Sequence, residues 1–169
     1  KSLRTVKTCV GSEWCRFGTQ DSTGLGIKIE QSTWGSWMPH KFKIAVSGCP
    51  RNCAEATIKD FGVICVDSGY ELHVGGNGGI KVRVTDLLCK VATEAEAIEH
   101  CAAFIQLYRE QAHYLERTAP WIERVGLYQY LGVEILIFAT YALAYNLLLG
   151  HAGLPSFGHG AFFGIGAYA

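Results

Sequence analysis

Four cysteines in two short loops constrain this chain more than any other feature. Cys9 and Cys15 stand in T-C-V-G-S-E-W-C-R-F-G, spaced C-x5-C; Cys49 and Cys53 stand in V-S-G-C-P-R-N-C-A-E, spaced C-x3-C. A fold that brings the two loops together gathers four thiolates, enough to hold a metal centre of charge two or more. Spacing leaves three uses open. Structural zinc takes four thiolates, usually in C-x2-4-C pairs, which fits the second spacing and not the first. An iron–sulfur cluster takes four thiolates from looser loops. The third use is as buried free thiols, the reading for Cys65, Cys89 and Cys101. Local chemistry favours the cluster. Gly11 and Gly48 would let backbone N–H groups approach the sulfurs, and a helix opening near Cys53 would aim its positive end there.

The total of seven cysteines is odd and no signal peptide is evident, which points to a reducing compartment rather than a disulfide framework. Residue 1 is Lys rather than Met, so a fragment or processed product is expected. The 15 basic and 15 acidic residues cancel, which argues against nucleic-acid binding by bulk charge. That balance hides an asymmetry. Every Lys and Arg lies in residues 1–124, and beyond them Glu134 is the single formal charge.

Residues 1–8 read as a strand or lead-in, and Cys15 to Ser22 as the opening of a short helix. Ile27 to Glu30 alternates and predicts a strand. Gln31 to Pro39 reads as a loop anchored by Trp34 and Trp37. Lys41 to Ser47 alternates too, with Phe42, Ile44 and Val46 on one face and Lys41, Lys43 and Ala45 on the other, ended by Gly48. Cys53 to Lys59 looks helical and Phe61 to Val66 reads as a strand. Tyr70–Val74 and Ile80–Val84 predict a hairpin around Gly75–Gly79, a run without the G-x-G-x-x-G spacing of a dinucleotide fingerprint. Thr93 and Glu96 form a capping box ahead of an amphipathic helix over 94–117, with Pro120 at or after its end. Strands and helices mix without a βαβ period, which predicts an α+β fold.

From Leu131 the composition changes. Leu131–Gly150 is an almost uncharged run whose twenty residues would span roughly 30 Å as a helix, the thickness of a bilayer core. His151–Ala169 is rich in Gly, Ala and Phe, a composition suited to close packing or a re-entrant segment in a membrane. One transmembrane helix followed by a Gly/Ala-rich membrane segment is therefore expected. Arg117 and Arg124 precede the span, which would place residues 1–127 in the cytoplasm and the rest in a bacterial inner membrane.

Residues 1–127 resemble the iron–sulfur and sirohaem domain of the nitrite/sulfite reductase family. The likeness is carried by T-V-K-T-C-V-G-S-E-W-C-R-F-G-T-Q-D-S and M-P-H-K-F-K-I-A-V-S-G-C-P-R-N-C-A-E-A-T-I-K-D, and continues through Y-E-L-H-V-G-G and Y-L-E-R-T-A-P-W-I-E-R-V-G-L. It is strongest to the large subunits of assimilatory NAD(P)H nitrite reductases. The resemblance implies a mixed sheet with helices and a 4Fe–4S cluster held by Cys9, Cys15, Cys49 and Cys53, with Cys53 bridging to the sirohaem iron. It implies six-electron reduction of nitrite to ammonia, with sulfite as the alternative substrate. Lys41 and Lys43 become candidates for holding substrate, and Arg16 and Arg51 for the carboxylates of the cofactor. His40 is a candidate proton donor. FAD and NAD(P)H would belong to upstream parts or to a small subunit. Residues 128–169, with G-L-P-S-F-G-H-G-A-F-F-G-I-G-A-Y as the specific portion, resemble the start of a branched-chain amino-acid ABC transporter permease. The chain then reads as two pieces joined near residues 127–130, by gene fusion, by an artefact joining neighbouring genes or through a fragmentary gene model, and a truncated permease carrying a passenger domain is the alternative reading.

Overall fold

The computed structural model describes residues 3–126. The chain divides into two compact units, of which the one described here is Lys1–Arg124. Among the described residues no helix is long and apolar enough to cross a membrane; the Leu131–Gly150 span and the permease-like stretch lie outside them.

The expected α+β mixture is present. Strands β1 (Lys7–Thr8), β2 (Ile44–Ser47), β3 (Phe61–Val66), β4 (Gly69–Val74) and β7 (Asp86–Val91) form one sheet in the order β1-β2-β3-β4-β7. The first three run parallel, and β4 pairs antiparallel with both β3 and β7. A separate small ribbon pairs β5 (Asn77–Gly78) with β6 (Val82–Arg83). The helices are α1 (Gly11–Trp14), α2 (Ser22–Thr33), α3 (Glu94–Gln111) and α4 (Thr118–Val125).

Register sorts the side chains. Ile44 pairs with Phe61 and Val46 with Val63, so Phe42, Ile44 and Val46 share a face with Phe61, Val63 and Cys65. Against it lies an aromatic cluster from α3 and α4. Phe104 sits 5.7 Å from both Phe61 and Trp121, and Tyr108 sits 5.7 Å from Phe42 and 5.4 Å from Trp121. Each such pair adds about 0.5–1.5 kcal/mol beyond area burial. The opposite face carries Ala45 and Ile64 and is covered by Ala54 and Ala56. With both faces covered, all four residues of β2 are buried, and the polar alternation holds only at Lys41 and Lys43.

Several expectations fail locally. The predicted Ile27–Glu30 strand lies inside α2. Asp21 caps that helix by accepting from the Gly24 N–H at 2.9 Å, and Leu25, Ile29 and Thr33 recur on its buried face while Ile27 points outward. A four-residue alternation is too short to outweigh a cap. No helix spans Cys15–Ser22; Cys15 ends α1 and Ser22 begins α2. Trp34 and Trp37 are 72% and 54% exposed, and Met38 is the buried anchor of that loop. Cys53–Lys59 is not a helix. Asn52 and Glu55 adopt left-handed φ of 56° and 60°, and only a 3-10 turn over Ala56–Ile58 remains.

The glycine run does not close a hairpin between 70–74 and 80–84. Gly75 and Gly76 donate to the carbonyls of Asp60 and Lys59, tying the run to the start of β3. A Cβ on Gly76 would lie 2.5 Å from the Lys59 oxygen. β4 pairs instead with β3 and β7. No strand was predicted at β7, since Leu87 and Leu88 are adjacent and both exposed and therefore show no alternation. The capping box at Thr93 and Glu96 forms as expected. The helix stops at Gln111, short of 117, because Ala112 turns extended at φ −79° and ψ 141°; beyond it Leu115 has φ 66° and its N–H goes to the Pro39 carbonyl. Pro120 sits in the first turn of α4, where its missing N–H costs no helical bond.

One charge cluster ties α4 to the sheet. Asp60 has no solvent exposure; it accepts from both sides of the chain, taking the Lys43 N–H at 2.9 Å, the Arg117 guanidinium at 3.0 and 3.1 Å and the Thr118 hydroxyl. Removing one partner of a buried pair strands the other. Asp60→Ala is expected to lower unfolding stability by about 3–5 kcal/mol in urea titrations, with Asp60→Asn intermediate.

Candidate functional site

Parallel β1 and β2 run directly into the two cysteine loops: Cys9 follows Thr8, and Gly48 and Cys49 follow Ser47. The carboxyl ends of neighbouring parallel strands are where open sheets commonly place ligands. The Gly48 peptide joins the loops. Its N–H donates to Cys9 Sγ at 3.0 Å. Its carbonyl accepts from the Thr19 N–H at 2.7 Å, the Thr19 hydroxyl at 3.0 Å and the Gln20 N–H at 3.4 Å. A Cβ at Gly48 would approach the Gly11 Cα to 2.8 Å and Cys9 Sγ to 3.3 Å, so a side chain there would force the loops apart.

Phe17 makes a second junction. The Arg51 guanidinium from the C-x3-C loop lies 3.6 Å from its ring centroid, and that of Arg16 lies 4.5 Å away. Both arginines singled out by sequence thus meet at one aromatic ring between the loops.

Cys49 is buried, Cys9 and Cys15 are partly exposed, and Cys53 is exposed. Burial pushes the Cys9 thiol up, but hydrogen bonds with Ser22 and to the sulfur from the Gly48 and Gly11 backbones outweigh it and set its pKa below the ordinary 9.0. Desolvation pushes Cys65 and Cys101 up to about 12, as befits packing thiols. Cys89 is partly exposed, and burial raises it as well.

The C-x3-C loop owes its shape to Asn52, a residue the spacing argument passed over. Its side-chain oxygen accepts from Ser47 Oγ at 3.1 Å and the Ala56 N–H at 2.6 Å, and its nitrogen donates to Thr57 Oγ1 at 2.7 Å. Asn is also the non-glycine residue that best tolerates φ near 56°. The position between paired cysteines and the Asn type together were the available signal. Ser22 was missed as well; nothing in its sequence context marks it.

Lys43 and Lys7 project from the same sheet face as Ala45, the face that also carries Cys9. There Arg4, Lys7, Lys41, Lys43 and Lys59 line an open cleft of ≈ 420 Å³. Lys7 and Lys59 are both bridged to Glu55 at 3.0 Å. Burial, then the charges of Lys41, Lys59 and Arg117, lower the pKa of Lys43, with Asp60 opposing. The cleft is an anion-attracting surface. His40 lies apart from the cysteines; it borders a second cleft with Lys81, Arg83 and Arg117, and its Nδ1 accepts from the Lys41 N–H at 2.7 Å.

The residues present can be tested against each metal. Zinc requires four thiolates about 2.3 Å from one ion. Among the described residues no group of three or more His, Cys, Asp or Glu side chains is arranged around one point, which favours neither metal over the other. A cubane cluster spreads its ligands over separate irons and gains from N–H groups aimed at sulfur. Cys9, with donors at its sulfur and a glycine cradle that a Cβ would fill, fits the cluster.

A mixed sheet whose parallel strands open into joined cysteine loops is an α+β domain with paired cysteines at its parallel-strand ends. The chain belongs to the family described as the nitrite and sulphite reductase 4Fe-4S domain, whose model matches residues 1–133. Over 127 residues it is 61% identical to the nitrite reductase (NAD(P)H) of Bacillus subtilis (strain 168), covering 75% of this chain and 16% of that protein. It is 46% identical over 137 residues to the nitrite reductase (NADH) large subunit of Escherichia coli (strain K12), covering 80% and 16%. An assimilatory-type sulfite reductase of Nitratidesulfovibrio vulgaris (strain Hildenborough) is 36% identical over 122 residues, covering 72% of this chain and 56% of that protein. The chain thus spans under a fifth of the length of these nitrite reductases. Among solved structures, dissimilatory sulfite reductase I shares the fold with a TM-score of 0.64 at 17% identity, over 78% of this chain and 52% of that one. The Mycobacterium tuberculosis NirA protein gives 0.65 at 21% identity, over 76% and 26%.

Asn52→Ala is expected to cost about 2–4 kcal/mol, from a left-handed residue without its tolerance and from three lost hydrogen bonds. Asn52→Gly keeps the backbone and should lose about half as much. Paired urea titrations check this; equal losses would remove the backbone share of the argument.

Proposed function

We propose that this chain is the cluster-holding part of a nitrite reductase. The observation that carries the reading is the junction of the two cysteine loops through the Gly48 peptide, in a chain 61% identical to a nitrite reductase. Cys9, Cys15, Cys49 and Cys53 would hold a 4Fe–4S cluster, with the exposed Cys53 turned toward sirohaem. When bound, these groups supply one-electron transfer and an open iron position for the six-electron reduction of nitrite to ammonia.

The protein's own residues do the remaining work. Gly48 and Ser22 fix the Cys9 sulfur. Lys41 and Lys43 attract the anionic substrate to the basic cleft, and burial of Lys43, with the cations crowded around it, eases proton release there. Arg16 and Arg51, held over Phe17, would meet cofactor carboxylates at the mouth of the loops; their shared stacking on that ring supports the reading. FAD and NAD(P)H belong on other portions of a longer protein or on a small subunit. Residues 131–150 are read as a membrane segment following a cytoplasmic domain, and residues 128–169 as permease-like; both readings are supported by composition and sequence pattern alone.

Sulfite is the second reading, favoured by the 36% identity to an assimilatory sulfite reductase. Comparing nitrite and sulfite turnover in the full-length protein separates the two. For the cluster itself, the chain purified without oxygen should carry iron and acid-labile sulfide in equal amounts, and Cys53→Ser should lose most of both. Full cluster content in Cys53→Ser would contradict the assignment.

A further inference from the structure

Ser22, the first residue of α2, has no solvent exposure and touches Cys9 twice. Its hydroxyl donates to the Cys9 backbone carbonyl at 2.9 Å, and its Oγ lies 3.3 Å from Cys9 Sγ. One hydroxyl proton cannot serve both acceptors at once. With a protonated thiol the two contacts are compatible, because Cys9 S–H can donate to Ser22 Oγ while Ser22 donates to the carbonyl. As a metal ligand Cys9 is a thiolate and has no proton to give. The 3.3 Å contact then needs the hydroxyl proton to turn toward sulfur.

Thr23 makes that turn inexpensive. Its hydroxyl donates to the same Cys9 carbonyl at 3.2 Å, so the carbonyl stays paired when Ser22 leaves it. The surroundings hold the hydroxyl in place. A Cβ at Gly11 would come within 2.9 Å of Ser22 Oγ, and one at Gly48 within 3.1 Å, so two glycine backbones close over it. The N–H of Gly48 approaches the same sulfur at 3.0 Å.

We propose that Ser22 is a positioning residue for the cluster: it orients the Cys9 sulfur and gives it an O–H···S hydrogen bond beside the N–H···S bond from Gly48. This rests on the reading of Cys9 as a cluster ligand. Donors to a ligating sulfur stabilise the more negative, reduced cluster, so Ser22 raises the reduction potential.

The test is a redox titration followed by EPR on the full chain, comparing wild type, Ser22→Ala and Ser22→Thr, with iron and sulfide measured in each. Ser22→Ala should keep its cluster at a more negative midpoint and lose an exchangeable-proton coupling in pulsed EPR. Ser22→Thr should keep both the wild-type midpoint and the coupling. An unchanged midpoint in Ser22→Ala overturns the proposal. So does an equal shift in both variants, or loss of the cluster from both, either of which makes Ser22 a packing residue. A wild-type chain without a cluster would instead overturn the ligand reading, and this proposal with it.

Discussion

The peptide of Gly48 holds the site together. Its N–H reaches the sulfur of Cys9 and its carbonyl collects the chain at Thr19 and Gln20, so the two peptide planes that meet at the Gly48 Cα tie both cysteine loops. The contact exists because β1 and β2 run parallel with Thr8 opposite Val46, which delivers Cys9 and Gly48 to the same sheet end. A shift of one residue in that register would turn Cys9 to the helical face and Thr8 to the loops. The aromatic cluster that fixes the sheet against α3 and α4 therefore acts at a distance on the site, by holding Phe42 and with it the strand that leads to Gly48.

The meeting of the two cysteine loops was more legible in the sequence than the scaffold. Paired cysteines with flanking glycines form a short local pattern, and the structure joins the two loops through the Gly48 backbone. The strand at Phe61–Val66 and the cap at Thr93 were equally plain, each carried by a local signal the tertiary structure does not oppose. The failures share one cause. Ile27–Glu30 and Cys53–Lys59 were judged on patterns of a few residues, and in each case a specific hydrogen bond or dihedral decided otherwise: the Asp21 cap for the first, the left-handed Asn52 and Glu55 for the second. Ser22 could not be found at all. Its role depends on α2 folding back over Cys9, thirteen residues earlier in the chain, and on no local motif.

Charge is organised on the same axis. The helical face of the sheet is apolar except where Asp60 anchors Arg117 and Thr118. The opposite face carries the Cys9 side chain, and a cleft there is lined by five basic residues, two of which share the single charge of Glu55. The basic approach is anion-attracting, and it adjoins the strand end where the cysteine loops meet. The two lie along one short strand, from Lys7 to Cys9, and Gly62 in β3 lets the Ala56 turn close directly onto the same sheet.

Native mass spectrometry of the chain purified without oxygen measures most directly whether these loops hold one cluster. The account predicts a single adduct with the mass of four irons and four sulfides, absent from a variant lacking Cys9 and Cys49. A zinc adduct, or an adduct retained when those two cysteines are replaced, would contradict it.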